Sequence, residues 1–317
     1  MIPIYIESSK LVEIKKEFLE NVNNLLVGNR IKIQEKRILE KEKIYDEINK
    51  ELIGIGIKET LEEIILGDFD TLRKVKNQFE KMGQVYSVYK NGTNVKQKVD
   101  KNKCVKYSKY DRLYRKYDYL DKKWLIKKLS ITVCPYCNRE FINNRGSSTS
   151  AQLDHFYPRS KYPAFALSLF NLIPSCYACN HIKRETEISI SPYDSNFNFN
   201  KEINFFYTPI SSDYLNDHTK LTVDMNYSNE IAQNIRTMKI DLAYELHTDY
   251  VQELIKKALI YNKEQIIEFM QNYNGLFSTD EEIIRMIFGN YICTKDLGKR
   301  PLAKLTKDIL AELRIYL

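Results

Sequence analysis

Two Cys-x-x-Cys pairs are the residues of this sequence whose types and spacing most clearly point to chemistry. They are Cys134/Cys137 and Cys176/Cys179, separated by 38 residues. Four thiolates are the preferred tetrahedral donor set for structural zinc. An iron–sulfur centre is the competing metal site, and a redox dithiol would account for only one pair. The pattern predicts a closed zinc clip that fixes geometry and has no open position for chemistry.

Polar residues lie between the two pairs and directly after the second one. Asp154 and His155 end a short apolar segment, and Asn171 follows sixteen residues after the histidine. The second pair continues into Asn180–Lys183, which contains another of the four histidines of the chain. Taken singly, Asp154 could cap a strand, Asn171 could sit in a turn and Lys183 could be solvated. Their joint spacing favours a functional site instead.

At these residues the sequence resembles the HNH endonuclease family, in its subgroup with four zinc-binding cysteines. The family pattern is Cys-x-x-Cys, Asp/Glu-His, Asn and Cys-x-x-Cys-Asn/His-x-x-Lys, and the match covers roughly 55 of the 317 residues. The resemblance implies a ββα-metal fold, with His155 at the end of a strand and Asn180 on the following helix. His181 comes one residue later, which is about 100° of helix rotation, so we expect it to face away from the metal.

The residue types fit hydrolysis of a phosphodiester. A neutral histidine with a pKa of about 6.5 can take the proton of a water, which predicts His155 as the general base. Asp154 and Asn180 offer hard oxygen ligands suited to a catalytic Mg²⁺ or Mn²⁺. By resemblance, Asn171 holds the loop of the catalytic histidine through backbone hydrogen bonds. The candidate contacts to substrate phosphate are Lys183, Arg159 and Lys161.

The positive charge of the chain is concentrated in one region. The net charge is +7, but residues 90–128 alone hold 14 Lys/Arg against 4 Asp/Glu, so the remainder is slightly negative. Tyrosines at helical spacing alternate with these cations, which predicts one amphipathic helix with an aromatic and a cationic face; they are Tyr107, Tyr110, Tyr114 and Tyr117. Such an excess is typical of a polyanion-binding surface, although a solvated lysine-rich face would give the same composition.

Hydrophobic periodicity predicts the elements that must position these residues. We expect a mostly α member of the α+β class, in which helical regions flank a central zinc-stapled ββα module. Four regions follow: a helical region over 1–88, a basic tyrosine-rich connector over 89–130, the nuclease module over 131–195 and a mostly helical region over 196–317. Removal of one of these cysteines should unfold the central module and leave the helical regions on both sides intact.

The individual elements can also be placed along the sequence. Strands are expected at 1–6, 203–207 and 221–223. Helices are expected at 8–28, 31–52, 58–66, 71–82, 231–260, 263–273, 281–287 and 302–315. No stretch approaches 18 apolar residues, and charge arrives by Lys10, so we expect a cytoplasmic protein with no membrane partner.

The sequence therefore predicts a metal-dependent endonuclease that acts on DNA, with RNA as an open alternative. A second hypothesis is an inactive zinc-knuckle protein that binds nucleic acid or serves as a scaffold. Both hypotheses predict zinc and salt-sensitive binding of nucleic acid. Only the first requires His155, Asp154 and a divalent cation.

Two segments outside the cysteine pairs carry a further resemblance. Residues 191–197 and 298–306 resemble segments of bacterial HNH proteins encoded beside ATPase genes in antiphage systems of the Septu type. The resemblance implies an effector nuclease of antiviral defence and a partner ATPase that restrains or positions it. The helical flanks would then offer docking surfaces for that partner.

Overall fold

The computed structural model describes residues 1–28, 32–86, 104–105, 108–146, 148–273 and 275–315. Over these residues the protein is a mostly helical α+β fold with small antiparallel hairpins, as the sequence predicts. No helix within them is long and apolar enough to cross a membrane. The helices are α1 (Ser8–Val27), α2 (Gln34–Gly54), α3 (Leu61–Leu66), α4 (Phe69–Lys81), α5 (Asp111–Lys116), α6 (Lys122–Leu129), α7 (Tyr177–Lys183), α8 (Phe199–Glu202), α9 (Ala232–Met238), α10 (Ile240–Tyr244), α11 (Thr248–Ile260), α12 (Lys263–Asn272), α13 (Asp280–Phe288) and α14 (Ala303–Glu312). The strands are β1 (Asn144–Arg145), β2 (Ser148–Thr149), β3 (Gln152–His155), β4 (Leu172–Ser175), β5 (Ile203–Pro209) and β6 (Leu221–Tyr227).

The N-terminal helices pack through apolar stripes. The buried residues of α1 recur every four positions, which keeps them on one face of the helix; they are Ile14, Phe18, Val22 and Leu26. Thr60 forms a capping box with Glu63 at the start of α3, and Asp68 caps α4. The predicted helices of this region are confirmed, with boundaries that differ by at most three residues.

The tyrosine-rich connector is less regular than the single helix predicted for it. Helix α5 covers only part of the predicted pattern, because it begins at Asp111 and ends at Lys116, and a 3-10 turn at Tyr117–Tyr119 follows it. Lys106 and Tyr107, which belong to the predicted pattern, lie outside the described residues. Tyr110 and Tyr117 are buried and therefore occupy core positions. The connector thus presents its cations on the outside and packs part of its aromatic face inward.

Hairpin β3–β4 and helix α7 form the central ββα unit. The strands are antiparallel, with His155 opposite Leu172. The side chain of Cys176 caps α7 by accepting a hydrogen bond from the backbone N–H of Cys179. The second cysteine pair therefore lies at the start of the helix that carries Asn180, which agrees with the arrangement that the resemblance implies.

The C-terminal region combines a hairpin with helices. Strands β5 and β6 pair antiparallel from Ile203 opposite Tyr227 to Pro209 opposite Leu221, which confirms both strands predicted here. The helical stretch predicted over 231–260 is divided, because Lys239 adopts a left-handed conformation with φ 51° between α9 and α10. The predicted strand at 1–6 is wrong, since these residues are not assigned to a strand.

Asn138, directly after the first cysteine pair, joins this turn to the C-terminal region. It is fully buried and left-handed, with φ 52°. Its side chain donates to the carbonyl of Leu297 at 2.9 Å and accepts from the backbone N–H of Lys304 at 2.9 Å. Its own carbonyl accepts from the N–H of Leu302 at 2.6 Å. Asn138 therefore links residues 297–304 to the first cysteine turn through both its side chain and its backbone carbonyl.

The apolar core is continuous across the regions that the sequence separates. One cluster of buried residues includes Phe18 of α1, Cys134 and Cys179 of the two pairs, and Leu305 of α14. The hydroxyl of Tyr244 in α10 also donates to a carbonyl of the first pair at 2.6 Å. This continuity argues against a central module that unfolds alone when one cysteine is lost.

Candidate active site

The four paired cysteines form one buried cluster. Their sulfur atoms all lie within 4.8 Å of one another, and the Sγ atoms of Cys137 and Cys176 are 3.9 Å apart. In a tetrahedron with Zn–S bonds of about 2.3 Å, adjacent sulfurs are about 3.8 Å apart. None of the four cysteines forms a disulfide, and Arg139 donates its backbone N–H to Cys137 Sγ at 3.4 Å. The donor set and its spacing therefore fit a structural zinc.

His155 is nine-tenths buried at the end of β3, and its tautomer follows from one hydrogen bond. Its Nε2 lies 3.0 Å from the carbonyl oxygen of Ala166. Because a carbonyl only accepts, Nε2 carries the proton and Nδ1 keeps its lone pair in the neutral ring. The edge of the Tyr117 ring packs on the imidazole, with centroids 4.3 Å apart. This arrangement suits a general base.

The charge state of His155 is set mainly by its burial. The pKa of His155 is lowered to about 3, mainly by desolvation and to a smaller extent by the positive charges of Arg159 and Lys183. The hydrogen bond to Ala166 acts in the opposite direction. The imidazole is consequently neutral near pH 7, which is the state that can accept a proton.

Asp154 lies next to this base and is held by a buried network. The hydroxyl of Tyr136 donates to Oδ2 at 2.7 Å, and the ammonium of Lys183 lies 3.0 Å from the same oxygen. The ammonium also donates to the carbonyl of His155 at 2.8 Å. Burial raises the pKa of the Asp154 carboxyl, whereas Lys183 and Tyr136 lower it. These two partners therefore oppose the tendency of a buried carboxylate to become neutral.

Asn171 fastens the loop that follows the base. Its side chain accepts from the N–H of Tyr157 at 2.8 Å and donates to the carbonyls of Tyr157 and Phe165, each at 3.1 Å. Its backbone carbonyl accepts from the N–H of Phe156 at 2.9 Å. These contacts fix the chain on the C-terminal side of His155, in agreement with the loop-holding position implied by resemblance.

A cavity of about 350 Å³ opens over these residues. Its lining includes Asp154, His155, Arg159 and Asn180 from the central unit. The connector contributes further lining residues, which the sequence did not single out as site residues; they are Tyr114, Tyr117, Asp118 and Lys122. The connector therefore forms one wall of the cavity, and its sequence signals were the regular tyrosine spacing and the local excess of cations.

Of the three cations named as phosphate contacts, Arg159 alone lines the cavity. Lys183 is fully buried behind Asp154, where its ammonium contacts protein oxygens. Lys161 forms an ion pair with Glu187 at 3.0 Å and is not part of the lining. The geometry thus favours a positioning role for Lys183 and gives Lys161 no place at the cavity.

Asn180 and His181 point to different surroundings on α7. Asn180 is half-buried and lines the cavity. His181 is exposed, stacks on the ring of Tyr177 with centroids 5.5 Å apart, and contacts Arg184 through Nε2 at 3.2 Å. The one-residue offset has the effect expected from helix geometry, because Asn180, and not His181, accompanies Asp154 in the cavity wall.

Residues 134–186 match the family model of the HNH endonuclease, over about one sixth of the chain. No significant match to the chain was found among curated proteins or among solved structures. The matched segment begins at the first cysteine pair and ends just beyond α7. These residues form an HNH endonuclease domain, and the family implies a nuclease that hydrolyses phosphodiester bonds in nucleic acid.

Replacing Cys179 by serine should remove the zinc and loosen the C-terminal region together with the central unit. We expect loss of most of the roughly one zinc per chain and a destabilisation of at least about 3 kcal/mol, because the metal clips the buried turn. Elemental analysis and hydrogen exchange would measure both effects. Residues 297–304 and the rest of α14 should lose protection, since Asn138 binds Leu297 and Lys304 to the cysteine turn.

Cys293→Ser is the matched control, because Cys293 is half-buried and lies outside the cluster. It should retain zinc and protection. The account would be contradicted if Cys179→Ser kept its zinc, or if it lost protection only within residues 131–195.

Proposed function

We propose that the HNH endonuclease domain of this chain is a DNA endonuclease that uses one divalent cation and His155 as its general base. One observation carries the proposal above the others. The hydrogen bond from Nε2 to Ala166 leaves Nδ1 as the basic ring nitrogen, in a cavity that Asp154 and Asn180 also line. The hypothesis of an inactive binding protein gives no reason for this combination.

His155 would remove the proton from the water that attacks the phosphorus. The free ring is neutral before substrate arrives, because burial and nearby cations hold its pKa low. The negative charge of a bound phosphate would raise that pKa and so strengthen the base when it is needed. Asn171 would keep the loop after His155 in place during the reaction through its hydrogen bonds to Tyr157 and Phe165.

Asp154 and Asn180 would hold the catalytic Mg²⁺ or Mn²⁺. The donor set fits, since a carboxylate and an amide oxygen are hard ligands and the cavity leaves room for water and phosphate. The cation, when bound, would stabilise negative charge on the phosphate and on the leaving oxygen. Lys183 and Tyr136 would serve this ligand by keeping the Asp154 carboxylate ionised and oriented.

DNA is the substrate we favour, with RNA as the alternative that the same test can identify. The outer face of the connector favours binding of a polyanion, because four cations line one shallow surface there against a single carboxylate, Asp111, which pairs with Arg115. The cations are Lys109, Arg112, Arg115 and Lys116. Arg159 is the proposed contact to phosphate within the cavity itself. Arginine suits this task because its planar guanidinium matches two phosphate oxygens at once.

We also propose that the nuclease is the effector of an antiphage system and works with a partner ATPase. The support is the resemblance of residues 191–197 and 298–306 to proteins of such systems. Both segments also have a place inside this chain, since Asp194 pairs with Arg73 and Lys304 pairs with Asp308. Residues of both segments therefore also serve the fold of this chain. The partner can be sought by expressing the chain with its native neighbouring genes and identifying the proteins that co-purify with it.

Nicking of a supercoiled plasmid in Mg²⁺ or Mn²⁺ tests the proposed function. His155→Ala should lower the rate by about 10²–10⁴, because the general base is lost. His181→Ala is the matched control and should cut like the wild type, since His181 is exposed and lies outside the cavity. RNA of the same sequence, offered in parallel, identifies the preferred nucleic acid.

The opposite results are equally clear. Equal cutting by His155→Ala and wild type would show that the base is another residue. A wild type that binds DNA with a steep dependence on salt but never cuts it, with and without its genetic partners, would favour the inactive binding protein.

Tyr136→Phe should weaken the response of the nuclease to its divalent cation without loss of zinc. The substitution removes the hydroxyl that donates to Asp154 at 2.7 Å and changes little else in the buried turn. We expect the Mn²⁺ concentration for half-maximal cutting to rise at least about tenfold, because a hydrogen bond to a charged group is worth about 1.5–3 kcal/mol. The rate at saturating Mn²⁺ should approach that of the wild type.

Tyr193→Phe provides the comparison for this variant. Tyr193 is also buried, but its hydroxyl makes a longer hydrogen bond of 3.4 Å to a backbone carbonyl. It should leave the Mn²⁺ requirement unchanged. Similar Mn²⁺ requirements for both variants would contradict an orienting role of Tyr136.

A further inference from the structure

Arg159 is held at the cavity by a small set of contacts from the connector. Its guanidinium carbon lies 4.6 Å from the ring centroid of Tyr114 and 4.6 Å from that of Tyr117. Its Nη1 donates to the carbonyl oxygen of Tyr114 at 3.0 Å and to Oδ1 of Asp118 at 3.0 Å. The rings of Tyr114 and Tyr117 fix the position of the guanidinium, and the Asp118 carboxylate accepts from one of its N–H donors.

The ion pair between Arg159 and Asp118 is weak enough for another anion to replace the Asp118 carboxylate. The side chain of Asp118 is 60% exposed and that of Arg159 is 25% exposed. Ion pairs so close to solvent contribute little to stability. By contrast, Tyr117 is buried and its hydroxyl donates to the carbonyl of Leu153 at 2.8 Å. The carboxylate can therefore leave by rotation of one exposed side chain, while the aromatic support stays in place.

A carboxylate and a phosphate compete for the same donors of a guanidinium. We propose that Arg159, between the rings of Tyr114 and Tyr117, is a subsite for a DNA backbone phosphate, and that Asp118 fills this subsite until DNA displaces it. The inference rests on the proposed function, because it takes DNA as the ligand of the cavity. Beyond the proposed function, it assigns Asp118 as a side chain of the chain itself that competes with substrate for Arg159.

The location of Asp118 gives this exchange a consequence for the site. Asp118 and Tyr117 belong to the same 3-10 turn, and Tyr117 packs edge-on against the imidazole of His155. The phosphate subsite thus borders the proposed general base through a single aromatic ring. A DNA strand bound at Arg159 would lie beside the general base. Asp118 would therefore inhibit substrate binding (it acts as a brake) at the part of the cavity where hydrolysis takes place.

Glu185 offers a control for simple electrostatic repulsion. It lines the same cavity, is exposed, and forms no ion pair with any of the described residues. Asp118→Asn and Glu185→Gln each remove one negative charge from the cavity wall. Only Asp118→Asn also releases the guanidinium of Arg159.

The test is DNA binding by the full chain without added divalent cation, so that binding is measured apart from cleavage. Fluorescence anisotropy of a labelled DNA duplex at low salt should give Asp118→Asn a dissociation constant about threefold to fivefold below that of the wild type. Glu185→Gln should change it by less than about twofold, and Arg159→Ala should raise it about tenfold. Adding Asp118→Asn to Arg159→Ala should bring no gain beyond that of Glu185→Gln.

Several results would overturn the inference. Equal effects of Asp118→Asn and Glu185→Gln would reduce it to general repulsion. A full gain from Asp118→Asn in the Arg159→Ala background would show that the gain does not pass through the subsite, and weaker binding by Asp118→Asn would refute the brake. Because binding is read without cutting, a failure of catalysis leaves these outcomes unaffected, and a failure of the brake leaves the plasmid assay unaffected.

Discussion

A buried carboxylate must be paired, and the pairing of Asp154 is the constraint around which the site is organised. An isolated charge in a protein interior would lose its ionised form, so the side chains that surround it cannot be chosen freely. Here the partners are Lys183 of α7 and Tyr136 of the first cysteine turn. The network therefore connects three elements, because the carboxylate is on β3, the ammonium is on α7 and the hydroxyl is in the turn that holds the first cysteine pair.

The four-cysteine cluster in turn is supported by the helical regions on both sides. Tyr244 donates to the carbonyl of Cys137, and Asn138 binds residues 297–304 through its side chain and its backbone. On the other side of the site, Tyr117 of the connector covers His155 and bonds to β3. A minimal ββα unit cut from this chain would lack both supports. This explains in physical terms why a short nuclease motif is embedded in a continuous core.

Much of the site could be predicted from the sequence, because its residues lie close together along the chain. The cysteine spacing predicted one cluster, and the offset of His181 from Asn180 predicted which of them faces the cavity. The contacts that tune the site could not be predicted in the same way. The bonds of Asp154 to Tyr136 and Lys183 need strand register and helix rotation together, and the pairing of Lys161 with Glu187 depends on how two loops pack.

The fold shows the same division between local and long-range information. Strands β5 and β6 could be predicted from their local β-branched and aromatic residues. The break at Lys239 could not, because it requires a left-handed conformation that no neighbouring residue type indicates. Helix α5 likewise ends before Tyr117, the last tyrosine of the predicted pattern, and the Tyr117 side chain packs in the core against His155. Tertiary contacts thus override a helical period that looks continuous in the sequence.

The most direct measurement of the central claim is anomalous diffraction from crystals of the full chain containing Mn²⁺. Data at the manganese and zinc edges distinguish the two metals without reference to activity. The account predicts zinc at the four cysteines and a separate manganese with an oxygen of Asp154 and Oδ1 of Asn180 at about 2.1 Å. Manganese bound away from both residues, or a cavity that excludes it while Asp154 stays paired with Lys183, would contradict the account.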